Sequence, residues 1–284
     1  MAKKNQPDPA NPDEAMALVC ENGENLRLVP PECQSPVICM AAVCQNPKAL
    51  KHVAEQTPRL CLEAILEDPE CIHFVRDRPV EFCLQAIKVR PEVLEFMETQ
   101  TMGMCLDAVN ADGMLLKYVR AQTPEVCKAA IMQTPDALSL VENQSRDLCM
   151  IAIRKDFRAM RHVREPSNEL CMLAVRHNPF TLKYIQNQTQ RLCLTAVRLN
   201  GRALCYARLQ SREICLAAIR NSPQALQWVL KQTPELCLEA VNRDGLALRF
   251  VQKQSREICE ASIRQNPEAE AYIRPESHKT ASRT

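Results

Sequence analysis

The apolar positions of this chain recur on a 22-residue period. One copy, residues 233–251, reads Thr-Pro-Glu-Leu-Cys-Leu-Glu-Ala-Val-Asn-Arg-Asp-Gly-Leu-Ala-Leu-Arg-Phe-Val. Its cysteine belongs to a row of eleven, Cys39, Cys61, Cys83, Cys105, Cys127, Cys149, Cys171, Cys193, Cys215, Cys237 and Cys259. An apolar residue precedes each cysteine (Leu60, Leu148, Leu236), alanine stands three after it in ten copies, and valine or isoleucine stands four after it in all. Apolar residues at these offsets share one face of an α-helix. A period held this long without a gap predicts a repeat array.

Each copy carries two helix-start signals. Ser or Thr stands four residues before the cysteine, as in Ser35, Thr57, Thr101, Thr189 and Ser255, with Pro79 the one departure. Such residues cap the unpaired N–H groups of a first turn. A second start lies seven after the cysteine, as in Asn46, Asp68, Asn178, Asn200 and Asp244, with Pro or Gly following in most copies. The pattern predicts a helix of about ten residues, a tight turn, a second helix of about eight, and another turn. Helices this short are marginal alone and need stacking. The fold class expected is all-α, an α-solenoid of about twelve 22-residue helix-turn-helix repeats, superhelical, with polar capping repeats.

The array is expected to run from 14 to 273, between a polar disordered tail (1–13) and a flexible tail (274–284). A degenerate first copy has Ala15, Val19, Gly23 and Val29 in the cysteine, valine, glycine and closing-valine positions. In the last copy Glu260, Ser262 and Glu270 replace the usual Leu, Ala and Leu. That reads as a polar end, so the array is expected to be closed.

Two further rows are in register. The second helix carries His52, Phe74, Phe96, Tyr118, Leu140, His162, Tyr184, Tyr206, Trp228, Phe250 and Tyr272. Aromatics at repeat spacing could stack bases, but filler beneath the second helix is the simpler reading, and His52 and His162 are then wedges. A glutamine row (Gln34, Gln56, Gln100, Gln122, Gln144, Gln188, Gln210, Gln232, Gln254) precedes the caps and is interrupted by Arg78 and Pro166. An amide offers two donors and an acceptor, and suits a ladder joining the backbone of successive turns.

Composition changes little of this. Gly is scarce at 5, Pro plentiful at 19 and aromatics 4%, which fits short proline-started helices. Of the sixteen cysteines, eleven hold one helical position. Helices pack about 8–10 Å apart, beyond the roughly 7 Å limit between disulfide-bonded Cα atoms. The row therefore reads as buried free thiols. Cys20, Cys33, Cys44, Cys71 and Cys205 form no Cys-x-x-Cys pair, and no metal or cofactor is expected. With no apolar leader and no window approaching 18 apolar residues, a cytoplasmic protein without a membrane span is expected.

Residues 212–229 and 234–251, with Glu-Ile-Cys-Leu-Ala-Ala-Ile and Glu-Leu-Cys-Leu-Glu-Ala-Val leading to Gln-Ala-Leu-Gln-Trp-Val and Gly-Leu-Ala-Leu-Arg-Phe-Val, resemble tandem repeats of the domain-of-unknown-function family 4116. The likeness covers about 35–273 and is weakest at Pro79, Met102-Gly103 and Lys128. It implies an α-helical repeat protein and brings no activity with it.

Charge changes the picture more. Residues 1–142 hold 13 Lys and Arg against 21 Asp and Glu, a net of −8, and residues 143–284 hold 23 against 13, a net of +10. An acidic half (14–142) adjoins a basic half (143–273). In the basic half Arg154, Arg176, Arg198, Arg220 and Arg264 stand five after the cysteine, Arg146, Arg212 and Arg256 open the first helix, and Arg161, Lys183 and Arg249 lie on the second. Cations in a last helical turn favour the dipole, but at a first turn they oppose it. No phosphate loop, His-Glu-x-x-His or nucleophile elbow is present, so the chain is not expected to be an enzyme. The leading expectation is a scaffold binding a protein partner through its extended surface, with these cations as candidate contacts. Nucleic-acid backbone binding by the basic half is the alternative, and head-to-tail self-association of the two halves is a second.

Overall fold

A computed structural model describes residues 8–274, and every regular element among them is helical. Twelve ten-residue α-helices follow one another: α1 Pro12–Glu21, α2 Pro36–Gln45, α3 Pro58–Glu67, α4 Val80–Val89, α5 Met102–Ala111, α6 Pro124–Gln133, α7 Arg146–Lys155, α8 Asn168–His177, α9 Gln190–Leu199, α10 Arg212–Asn221, α11 Pro234–Arg243 and α12 Arg256–Gln265. A six-residue 3-10 helix follows each, such as Pro47–His52 and Gly201–Tyr206. The chain divides into two compact units, 1–143 with α1–α6 and 144–284 with α7–α12. Each unit is a six-repeat stretch of α-solenoid.

The second helix thus differs from the expected eight α-helical residues. Six residues of 3-10 helix span about 12 Å, as would about eight of α-helix. The tighter winding covers the same distance with two residues fewer, which the turns of a 22-residue period need. The Asx side chain that opens the segment favours it: Asn46 Oδ1 accepts from Lys48 N at 3.0 Å, and Val53 N closes the far end on Leu50 O at 3.2 Å.

The first repeat also starts earlier than expected. Asn11 caps α1, so the helix takes in Pro12 and Asp13. Residues 1–7 and 275–284, expected as tails, lie outside the described residues. The extra residues after the first repeat form a short 3-10 turn, Pro31–Cys33.

Burial follows the apolar pattern. The third, fourth, seventh and eighth residues of each regular helix face inward, as Leu60, Cys61, Ala64 and Ile65 do in α3, and Leu192, Cys193, Ala196 and Val197 in α9. Every cysteine of the row is buried and free, and burial raises the thiol pKa along it, as at Cys61 and Cys149. Off the row, burial pushes the Cys71 thiol up to about 12. Ser and Thr caps accept from the third helical N–H, as in Thr189 Oγ1 from Leu192 N at 3.3 Å.

The glutamine row forms the expected ladder. Gln56 Nε2 donates to Phe74 O in the next repeat at 2.8 Å, and its Oε1 accepts from Arg76 N at 3.0 Å. Gln232 repeats this with Phe250 O (2.9 Å) and Gln252 N (2.8 Å). The aromatic row differs from expectation: its side chains are half-buried rather than core, and Tyr272 is exposed. Most of their backbone carbonyls, such as those of Phe74, Tyr118, Trp228 and Phe250, accept from the glutamine row, which lapses at Phe96 and Tyr184 where Arg78 and Pro166 replace the amide. The last repeat also differs. Glu260 and Glu270 are exposed, but Ser262 is fully buried and donates to Gly245 O of the preceding repeat at 2.8 Å. Its position faces backward along the array, so it is an interface residue and not part of a polar end.

A second amide pairing accompanies glycine. Where a 3-10 segment opens with Pro there is no N–H to satisfy; where it opens with Gly there is one. Gly113 N donates to Gln133 Oε1 at 2.8 Å and Gly201 N to Asn221 Oδ1 at 2.6 Å, each from the last residue of the next helix. Gly23 and Gly245 use Gln45 and Gln265 in the same way. A Cβ at Gly201 would stand 2.4 Å from Ala218 O.

Candidate functional site

The first, second, ninth and tenth positions are exposed on every α-helix, while the fifth and sixth are half-buried on most and buried at Met150, Leu216 and Ala261. In the C-terminal unit all eleven candidate cations are exposed. The geometry engages many of them within the unit. Arg146 reaches Glu169 at 3.0 Å, Arg198 reaches Glu213 at 3.7 Å, and Arg220 reaches Glu239 at 3.1 Å. Arg212 pairs with Glu235, its Nε lying 2.7 Å from Oε2. Arg256 turns back onto Glu260 of its own helix at 2.7 Å. Hydrogen bonds from Arg243 and then Arg220 hold the Glu239 carboxyl below the usual carboxylate range.

This resolves the cations at helix starts. Arg146 and Arg212 each find a carboxylate 23 residues on, in the next repeat. The cations of the 3-10 segments are also engaged. Lys183 Nζ lies 5.6 Å from the ring centres of both Tyr184 and Tyr206, the Arg249 guanidinium lies 4.6 Å over Phe250, and Arg161 Nε meets His162 Nε2 at 2.9 Å. Among the described residues, Arg154, Arg176 and Arg264 have no carboxylate in ion-pair range. The cysteine row, by contrast, lies wholly on the buried side.

The N-terminal unit presents a different surface at the same positions. Six of its seven large exposed apolar side chains are on outward helix positions: Val37, Leu66, Val80, Val89, Met102 and Met132. The seventh, Leu28, ends a 3-10 segment. These residues were not among the candidates from sequence. The available signal was in α2, whose Pro-Val-Ile-Cys-Met-Ala-Ala-Val-Cys-Gln is the one described α-helix with no charged residue. A helix apolar on all sides is normally covered. A groove of about 570 Å³ runs beside it, lined by Val37, Met40 and Cys44 on one wall and Glu55, Arg59 and Leu60 on the other.

Chemically the described residues offer binding surfaces rather than a reaction centre. No group of three or more His, Cys, Asp or Glu among them is placed to hold a metal ion, and no helix among them is long and apolar enough to cross a membrane. Comparison with family models, curated proteins and solved structures found no match to this chain.

Proposed function

We propose that the chain is a non-enzymatic binding scaffold that holds a protein partner along the outward face of its α-helices. The observation that carries this reading is the placement of exposed apolar side chains. Soluble surfaces scatter such residues singly, whereas their concentration in one region marks an interaction surface. Val37, Leu66, Val80, Val89, Met102 and Met132 all stand on the α-helices of one unit, whereas among the described residues the α-helices of the other unit expose only Leu199 as a large apolar side chain. The test is affinity capture from the cell of origin, with and without nuclease, beside a Val80→Glu, Met102→Glu variant. A discrete protein that survives nuclease and is lost from the variant is the expected result. Capture that nuclease abolishes, or that the variant keeps in full, rejects the reading.

A second reading, contact with a nucleic-acid backbone through the C-terminal unit, draws on Arg154, Arg176 and Arg264, the row cations without carboxylate partners among the described residues. Against it, Arg146, Arg198, Arg212 and Arg220 are engaged with glutamates. Phosphate contacts give affinity that falls steeply with salt. Oligonucleotide titrations across salt, with Arg154→Glu, Arg176→Glu alongside, decide it: no binding at low salt, or no loss in the variant, removes this reading.

A further inference from the structure

We infer that the α2 face of the N-terminal unit is a docking site for an amphipathic, basic helix of a partner protein, its apolar stripe seated on Val37, Met40 and Cys44 and its Lys or Arg side chains flanking them. This rests on the scaffold reading and names the site and the chemistry of the partner.

The apolar half of the argument is α2 itself. Its outward residues include Val37, 67% exposed, the half-buried Met40 and the exposed Cys44, with no charge along the helix. The neighbouring helices continue the apolar strip: Met16 and Cys20 occupy on α1 the positions that Met40 and Cys44 occupy on α2, and Leu62 and Leu66 occupy them on α3. Methionine and cysteine are soft, adaptable contacts suited to a helix laid in a groove. The groove of about 570 Å³ gives that helix a concave seat.

The charged half fixes the sign of the partner. Asp13 and Glu21 stand on α1, Glu55 on the groove wall, and Glu63 and Glu67 on α3. Among the described residues none of the five has a basic group in ion-pair range. Elsewhere in the same unit carboxylates are engaged, as Glu24 is by Lys51 at 2.9 Å and Glu70 by Lys48 at 3.1 Å. Arg59 is the one cation on α1, α2 or α3 and shares the groove wall with Glu55, so the helices that carry the strip are acidic in balance; in a half of net charge −8 they complement an apolar stripe bordered by cations. An acidic partner would meet like charges on both sides.

The probe is a fluorescent amphipathic Leu/Lys peptide of about 18 residues, five helical turns. Two controls go with it: the same composition scrambled so that no stripe forms, and the same pattern with Glu for Lys. Anisotropy titrations use the full chain. The expected result is binding of the patterned basic peptide at least about ten-fold tighter than either control. Val37→Glu, at an exposed position that leaves folding intact, weakens it about ten-fold or more. Glu63→Lys, Glu67→Lys keeps the apolar strip and also weakens it, while Arg176→Glu leaves it unchanged. Equal binding of the scrambled peptide, or no effect of Val37→Glu, overturns the inference by reducing it to bulk charge. A dimer in sedimentation that Val37→Glu dissolves overturns it in favour of a second copy on this face. Loss of peptide binding with partner capture intact overturns this inference alone and leaves the scaffold reading standing.

Discussion

The two units bury the same positions and expose different ones. In both, the third, fourth, seventh and eighth helical residues are apolar and inward in every α-helix but the terminal α1 and α12. The ninth residue is Cys20, Cys44, Leu66, Lys88, Asn110 and Met132 from α1 to α6, and Arg154, Arg176, Arg198, Arg220, Asn242 and Arg264 from α7 to α12. One stacking solution therefore carries two surfaces, one apolar with unpaired carboxylates and one rich in arginine. Stacking tolerates this because each repeat touches its neighbours through the inward positions, and the outward ones are free to diverge.

The equivalence of the buried sides is tested by the largest expected effects. Leu94→Ala and Leu226→Ala, fully buried at the same position of the two units, should each cost about 2–5 kcal/mol in urea unfolding. If one costs several times the other, the two cores are not equivalent.

Next come the amide pairings. Asn221→Leu strips the Gly201 N–H of its acceptor and should cost about 1–3 kcal/mol. Lys155→Leu, at the same helical position but following the proline-started segment at Pro135, should stay within about 0.5 kcal/mol. Equal effects would show that the glycine–amide partnership does not stabilise the stack.

The thiol row gives both units a shared pH dependence. Burial raises the thiol pKa above its ordinary 9.0 at Cys61 in the first unit and at Cys149 and Cys193 in the second. The unfolded chain then releases these protons at lower pH than the native one. Stability is full below about pH 9 and falls as pH rises above it. Thermal melts from neutral pH into the alkaline range should show the decline, and Cys61→Ala and Cys149→Ala should each make it shallower. The smallest effect is at the surface: Arg198→Ala, opposite Glu213 across 3.7 Å, should change stability by under about 0.5 kcal/mol.

Much of the fold is legible in the chain because burial, capping and turn chemistry act over a few residues and repeat. The cysteine row, the Ser and Thr caps at 35, 57 and 189, and the glutamine ladder could all be placed from spacing. The partnership of Gly113 with Gln133 and of Gly201 with Asn221 left a trace as well, since an amide ends the next helix after each glycine opening. The pattern becomes interpretable only once the N–H is seen to point there. The candidate surface was less legible. Arginines at Arg146 and Arg212 looked like free cations opposing a helix dipole, and the glutamates that hold them lie a full repeat away. The apolar face at Val37 was hidden because an exposed valine and a core valine look alike in a sequence.

The sequence by itself determined the period, the inward face of each helix, the caps, and the change of charge near residue 142, since each depends on residue type and local spacing. Tertiary structure alone decided that the second helix winds as 3-10, that Ser262 faces the preceding repeat, and which cations are held by carboxylates. It also decided that the apolar residues around α2 stand exposed beside unpaired acids. These depend on the distance between one repeat and the next, and on what fills it.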